Sequence, residues 1–364
     1  LPEAVMEVGA LLGDHWTGIP AVVAGLAEAA LHDPEIDWSF MIGTIAVPGP
    51  MMTALLDRRS GAVARNALAT LAWEQGEIPR ALADRAAGVF TNIKPLRGFF
   101  GREAMIVYDL SPLLTPRFHD EAGIAWFTDN IRADIAGSDH LFCISRATQA
   151  DVTAYFGVPA GRMSLVTPGV RFDPVDLSAA RHMPPCEPYV VIVGTLEPRK
   201  NGALVLAHLA RDPGFAARYR IVFIGCDGWL DEKARLLAAA GGVAADRVVF
   251  AGFVDEREKL ALMLNAAFCI YPSFFEGYGL PVLEAAVLGR LTVCSNTSSL
   301  PEVAPGASIL FDPLDPDDFA RALDEAERRA PTMPRPSLAT LIDRAEEASA
   351  TRTYPPIARW VAAR

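Results

Sequence analysis

The sequence predicts an α/β protein made of two Rossmann-like, doubly wound domains in series. Three observations carry this. Short apolar runs alternate with amphipathic stretches along most of the chain, the pattern of parallel sheets covered by helices on both faces. The alternation breaks once, at the proline-rich "FDPVDLSAARHMPPCEP", and then starts afresh. With 364 residues, 51% of them apolar and 21% charged, there is material for two cores of ordinary size.

In chain order, "AVMEVGALL" reads as a strand, and "GIPAVVAGLAEAAL" as a helix after a loop containing Gly13 and Gly18. There follow a strand "WSFMIGTI", a helical region over about 50–87, strands "GVFTNI" and "EAMIVYDL", and a helix near 121–137. Strand "HLFCIS", a helix over about 146–156 and "MSLVTPGV" close the first domain at residue 175, and 176–187 is expected to be a linker. Strands "YVVIVGTL", "RIVFIGC", "RVVFAGF", "FCIYPS", "LTVCSN" and "SILFDP" then alternate with helices from about 201, 229, 256, Pro281 and 316, giving a second domain over 188–350. Ligands of such sheets sit beyond the carboxyl ends of the strands, so two such domains facing one another across a cleft place a site between them.

Composition excludes several classes. A net charge of −11 lacks the positive surface that grips a phosphate backbone, so no nucleic acid is expected as partner. Five cysteines, Cys143, Cys186, Cys226, Cys269 and Cys294, lie far apart with no C-x-x-C pair and read as reduced thiols of a cytoplasmic protein. No run reaches membrane-spanning length, and no signal peptide is read ahead of the first strand. Residues 58–102 are locally basic, with eight Arg/Lys (Arg58, Arg59, Arg65, Arg80, Arg85, Lys94, Arg97, Arg102) against Glu74, Glu77 and Asp84. Two readings stay open for that stretch: a peripheral contact with the cytoplasmic face of the inner membrane, or a solvated helix and loop.

Two motifs carry chemistry. In "YPSFFEGYGLPVLEAAVLG" (271–289), Gly277 and Gly279 permit a tight turn and Pro281 fits the first position of a helix, whose free N–H groups would seat a phosphate. Glu276 ends the loop and Glu284 falls in the first turn. Either they aim sideways to accept hydrogen bonds from a ligand's hydroxyls, or Glu284 complements the helix dipole and Glu276 is solvated. In "VIVGTLEPRKNG" (191–202), a buried strand ends at Thr195 and Arg199 and Lys200 follow, a guanidinium fork and a point charge suited to a pyrophosphate leaving group, or else a surface pair. The Asp-x-Asp at Asp315–Asp317 stands at a helix start, where it caps rather than binds Mg²⁺; no metal is expected.

Together "GTLEPRKN", "VVFAGFVDEREKLALML", "YPSFFEGYGLPVLEAAVLG" and "SNTSSLPEV" resemble the donor half of glycosyltransferase family 4, retaining enzymes of the GT-B fold. "WTGIPAVVAGLAEAAL", "YDLSPLLTP" and "HLFCISRATQADVTAYFGVPAGRMSLVTPGV" are similar to its acceptor-binding half, so the resemblance covers nearly the whole chain. It implies that Glu284 holds the donor ribose, that Glu276 contacts the donor sugar, and that Gly277, Tyr278, Gly279 and Leu280 supply main-chain groups. It further implies that Arg199 and Lys200 neutralise the pyrophosphate, that Phe253 lies by the nucleobase and Gly18 by the phosphate, and that 351–364 forms a helix crossing back to the first domain. Departures from the family are Tyr108-Asp109-Leu110 for the usual His-Asp-Leu, Gly289-Arg290-Leu291 for the usual G-x-P, and Thr195 where an arginine often stands.

The activity so implied is metal-independent retaining transfer of a hexose from a nucleotide-diphosphate donor to a glycan or lipid-linked glycan, as in bacterial surface polysaccharide or lipopolysaccharide synthesis. GDP-mannose is favoured by similarity to bacterial mannosyltransferases. The candidate catalytic set is Glu276, Arg199, Lys200 and Asp109, the last with a structural role as its alternative. A nucleotide-sugar epimerase and a non-catalytic nucleotide-sugar-binding protein remain as other readings, whereas no G-x-G-x-x-G follows a strand to suggest a dehydrogenase.

Overall fold

The computed structural model describes residues 1–13, 18–57, 76–182, 187–228, 231–241, 245–303 and 305–363. The chain divides into two units. The first comprises Leu1–Leu110, Ala125–Arg171 and Ser349–Arg364, and the second Ser111–Ile124 and Phe172–Ala348.

The first unit is built on a seven-stranded sheet: β1 (Glu3–Glu7), β2 (Asp37–Ile42), β3 (Ile45–Val47), β4 (Ala87–Phe90), β5 (Arg102–Val107), β6 (His140–Cys143) and β7 (Met163–Leu165), in the spatial order β3-β2-β1-β4-β5-β6-β7. All neighbours are parallel except β2 and β3. The run "WSFMIGTI", expected as one strand, is a hairpin: Gly43 takes φ 61°, a conformation open to glycine, and the chain reverses there. The tail of "AVMEVGALL" is likewise not strand but a 3₁₀ turn, Gly9–Leu12. Helix Arg146–Phe156 starts on Ser145, whose side chain accepts from the Thr148 amide, and stops on Gly157 in the left-handed region. The closing helix Tyr354–Ala362 belongs to this unit: the Trp38 indole N–H donates to Tyr354 Oη at 2.7 Å, and the Tyr354 hydroxyl donates to Asp33.

The described cations of the 58–102 stretch are engaged within this unit. Lys94 lies buried 2.7 Å from Glu103, Arg97 is 2.5 Å from Asp134, Arg85 pairs with Glu3 and Arg80 with Asp84. Arg102 donates to carbonyls of Trp360 and Ala363 and covers the Trp360 ring at 4.5 Å. Arg58, Arg59, Arg65 and Glu74 lie outside the described residues. No described helix is long and apolar enough to cross a membrane.

The second unit holds a six-stranded, all-parallel sheet: β8 (Tyr189–Val193), β9 (Arg220–Ile224), β10 (Val248–Gly252), β11 (Cys269–Tyr271), β12 (Thr292–Ser295) and β13 (Ser308–Phe311), ordered β10-β9-β8-β11-β12-β13. Alternate residues of each strand feed opposite faces. Val190, Ile192, Ile221, Phe223 and Ile270 enter one apolar cluster, and Tyr189, Val191, Val222, Ile224 and Cys269 the other. The expected linker is corrected: Asp173 caps a helix Pro174–Ala180 whose Leu177 and Ala180 join the second cluster, and the unit boundary falls at Arg171/Phe172. Cys143, Cys226, Cys269 and Cys294 are free thiols, and Cys186 lies outside the described residues. Asp315 caps helix Pro316–Arg329 by accepting from the Asp317 and Asp318 amides, while Asp317 pairs with Arg211.

Candidate functional site

In the second sheet the strand order reverses between β8 and β11, since β8 leads to β9 on one side and has β11 on the other. The carboxyl ends of two such strands diverge and leave a crevice. Into it come the 3₁₀ turn Pro198–Lys200 after β8 and the loop 272–279 after β11. Ile192, Gly194, Thr195, Lys200, Tyr271 and Ser273 are among the residues lining a pocket there.

Four charges meet at this point. Lys200 Nζ donates to Glu276 Oε1 at 2.6 Å and to Tyr271 Oη at 2.9 Å, and stands 5.0 Å over the Tyr271 ring. Arg199 Nη1 is 3.2 Å from Glu276 Oε2 and donates to the Phe275 carbonyl at 2.5 Å, while Nη2 donates to Glu197 Oε1 at 2.5 Å. Two cations and two carboxylates therefore close on themselves. Burial alone would raise the Glu276 carboxyl, but the charges of Lys200 and Arg199 outweigh it and hold the pKa at about 2. Glu197, 2% exposed, goes the other way: burial pushes its carboxyl up despite Arg199 and Lys200 beside it. Burial and the Glu276 charge lift the Tyr271 phenol well above its ordinary range.

The loop that presents Glu276 is held from behind by a neighbouring turn. Glu276 N–H donates to Ser298 Oγ at 2.9 Å, and the fully buried Ser299 hydroxyl lies 2.9 and 2.8 Å from the Glu276 and Tyr278 carbonyls, to which it donates. Ser298 adopts φ 49° to make that turn. With these carbonyls tied back, the loop leads into helix Leu280–Val287. Its N-cap is Gly279 at φ 106°, where a Cβ would come 2.6 Å from Leu300 Cδ2, so only glycine fits. The Gly279 carbonyl accepts from Val282 N–H at 2.9 Å, which makes Leu280 the first helical residue and Pro281 the second. Tyr278 is largely enclosed, and burial followed by the charge of Glu302 raises its phenol to about 12. Gly277 is buried between Glu276 and Tyr278.

Two expectations about the acids are corrected. Glu284 lies in the second turn of the helix, not the first, because the helix begins at Leu280; it does not serve the helix dipole. Nor are the acids left with their charge unengaged. Glu276 is bridged by Lys200 and Arg199, and Glu284 Oε1 accepts from Lys259 Nζ at 2.7 Å, a lysine also 3.1 Å from Glu256. Burial opposes the charge on Lys259, but Glu284 and Glu256 overcome it and raise its pKa. The pairs form because fold proximity puts each carboxylate beside a buried cation that needs neutralising.

The remaining site candidates lie elsewhere. Phe253 follows the edge strand β10, which β9 separates from β8, and is 47% exposed. Gly18, Tyr108 and Asp109 belong to the first unit. Gly18 is the N-cap of helix Ile19–Leu31 at φ 60°. Tyr108 and Asp109 follow β5; the Tyr108 carbonyl accepts from Thr148 Oγ1 at 3.1 Å, and burial, then the Glu7 charge, drives its phenol pKa upward. Asp109 in turn helps burial raise the Asp151 carboxyl. Reading the sequence missed Glu197, Lys259, Tyr271, Ser298 and Ser299. All five stand inside the motifs quoted above, but only their contacts mark them out.

Residues 187–327 match the family described as glycosyl transferases group 1. Among curated relatives, O-antigen chain mannosyltransferase B of Escherichia coli is 28% identical over 224 residues, 59% of this chain and 58% of that protein. A serotype-specific mannosyltransferase WbdA of Escherichia coli is 29% identical over 235 residues, 61% of this chain and 28% of the relative. The chain thus spans a little over half the first relative and about a quarter of the second. Among solved structures, sucrose-phosphate synthase of Thermosynechococcus elongatus superposes with a TM-score of 0.67 at 18% identity, covering 100% of both chains. Anabaena HepE in complex with UDP and glucose gives 0.66 at 13% identity, again over 100% of both. WaaG, a glycosyltransferase involved in lipopolysaccharide biosynthesis, gives 0.61 at 12% over 98% of both. At these identities the likeness to the solved structures is one of fold. Residues 187–327 thus carry the match to glycosyl transferases group 1, and the chain as a whole has the GT-B fold of its structural neighbours.

Proposed function

We propose that the protein is a retaining glycosyltransferase that moves a hexose, mannose from GDP-mannose in the favoured reading, to a hydroxyl of a glycan or lipid-linked glycan in bacterial surface polysaccharide synthesis. The observation that carries this reading is the meeting of Arg199, Lys200 and Glu276 beside the N-terminus of helix Leu280–Val287. A diphosphate arriving there exchanges with Glu276 as partner of the two cations. Its oxygens take the ammonium of Lys200 and the guanidinium of Arg199, with Glu197 still holding the far edge of Arg199, and the amides of Gly277 to Leu280 complete the seat. Glu276, released but ionised, turns to the donor sugar and accepts from its hydroxyls.

As the bond from the anomeric carbon to the diphosphate breaks, negative charge grows on the leaving oxygen. Cations already fixed by Glu197, the Phe275 carbonyl and Tyr271 stabilise it without reorganising. The acceptor hydroxyl bonds to the anomeric carbon on the same face, and its proton passes to the departing phosphate oxygen. No metal takes part in this scheme. Glu284, held by Lys259, is assigned to the ribose and Phe253 to the nucleobase. The roles that the family resemblance implies for Gly18, Tyr108 and Asp109, which lie in the first unit, belong to the same proposal.

The similarity to two mannosyltransferases supports mannose, and the UDP complex of a structural neighbour supports a nucleotide-diphosphate donor. The test is a panel of nucleotide sugars read by thermal shift, followed by product analysis with and without glycan acceptors and with EDTA. GDP-mannose is expected to raise the melting temperature most, with GDP released in an acceptor-dependent, EDTA-resistant reaction. Interconversion of the donor alone would favour an epimerase, binding without turnover a non-catalytic protein, and loss of activity on chelation would overturn the metal-free scheme.

A further inference from the structure

We infer that Arg117 and Phe118 are positioning residues for the loop bearing Glu276. This rests on the donor reading above and assigns it two residues far away in sequence. The segment Ser111–Ile124 leaves the first half of the chain directly after Tyr108, Asp109 and Leu110, yet it belongs to the second unit. Its short turn Pro116–Phe118 lays the 7%-exposed Phe118 ring flat on Phe274, with centroids 5.1 Å apart and planes 7° from parallel. The Arg117 guanidinium covers the same stack, 4.6 Å from the Phe118 centroid and 5.6 Å from that of Phe274.

Phe274 is two residues from Glu276, and its N–H donates to the Arg199 carbonyl at 2.9 Å. The next carbonyl, that of Phe275, accepts from Arg199 Nη1 at 2.5 Å. The loop is thus fixed on three sides: by Arg199 through its backbone, by Ser298 and Ser299 from the adjoining turn, and by the Arg117–Phe118 stack on the side chain of Phe274. The first two fix the main chain. The stack sets where Phe274 points, and through it the angle at which Glu276 meets Lys200 and the donor sugar.

The experiment compares wild type with Phe118→Leu, which keeps apolar volume but removes the ring, Phe118→Tyr, which keeps the ring, and Arg117→Gln, an exposed change. Hydrogen exchange at the Phe274 and Glu276 amides is followed first, without ligand. Phe118→Leu and Arg117→Gln are expected to speed exchange there by about tenfold, and Phe118→Tyr by less than about twofold, the size fitting loss of an aromatic stack and a cation–π contact. Steady-state kinetics with the nucleotide sugar found for wild type follow. Expected are a roughly tenfold fall in kcat for Phe118→Leu, restored in Phe118→Tyr, with a melting temperature within a few degrees of wild type. Unchanged exchange at both amides, or equal kcat in Phe118→Leu and wild type, overturns the inference. If wild type turns over no nucleotide sugar, the donor reading fails, and the exchange result still decides whether the stack holds the loop.

Discussion

Replacing Glu276 by Gln separates what the carboxylate does for the fold from what it does for the ligand. Its pKa stands at about 2 against an ordinary 4.5, so ionised Glu276 stabilises the folded state at neutral pH by about 3 kcal/mol. The sign follows from a folded value below the unfolded one: the contribution is complete above about pH 4.5 and disappears as the pH falls toward 2. Glutamine keeps an acceptor for Lys200 Nζ, so the loss in Glu276→Gln is at most that figure. Differential scanning calorimetry should show the second unit melting up to about 6–10 °C lower at pH 7. The gap to wild type should narrow between pH 4.5 and 3. Binding of GDP without sugar should move the opposite way, tightening about tenfold, because Lys200 and Arg199 lose an anion that competes with phosphate. Sugar transfer should be lost. Equal melting temperatures at pH 7, a gap that holds its size down to pH 3, or weaker GDP binding in the variant would each refute the idea of a self-neutralised site.

Three further changes follow from the same contacts. Lys259→Met leaves Glu284 and Glu256 facing each other without their shared cation and should cost about 3 kcal/mol in urea unfolding at pH 7. Gly279→Ala places a methyl 2.6 Å from Leu300 Cδ2 at a backbone φ of 106°, and should cost about 2 kcal/mol or more, with nucleotide-sugar binding weakened in the same titration. Tyr354→Phe strips the hydroxyl between Trp38 and Asp33 in the first unit; a loss of about 1–2 kcal/mol is expected, with Trp38 fluorescence the natural probe.

Which parts of this were legible in the sequence follows from how local each determinant is. Strands of the second sheet could be read because both faces are buried, and a run such as "YVVIV" is apolar at every position, feeding one cluster with Val190 and Ile192 and the other with Tyr189 and Val191. The β2–β3 hairpin was hidden because Gly43 and Thr44 interrupt an apolar run too briefly to register as a turn. Around the expected linker the prolines at 184, 185 and 188 masked the helix signal of Asp173 followed by Pro174. The candidate charges were legible too, since Arg199, Lys200, Glu276 and Glu284 stand in recognisable motifs. Their pairing was not, because Lys200 and Glu276 stand 76 positions apart and are brought together only by the order of β8 and β11.

That hidden pairing changes the chemistry inferred for the crevice. Two unopposed cations would make a site that binds any anion. Two cations already matched by Glu197 and Glu276 make one whose affinity is a difference: a phosphate gains Lys200 and Arg199 only by releasing Glu276 from them. A ligand without hydroxyls leaves the released carboxylate buried and unpaired, at a cost of the same order as the ion pair it broke. One that carries a sugar beside its diphosphate offers Glu276 new donors in exchange. On the proposed donor reading, discrimination against bare phosphate arises from the acid rather than the bases. On the same reading, the role of Glu276 is then to make occupancy by an anion conditional on the alcohol that comes with it.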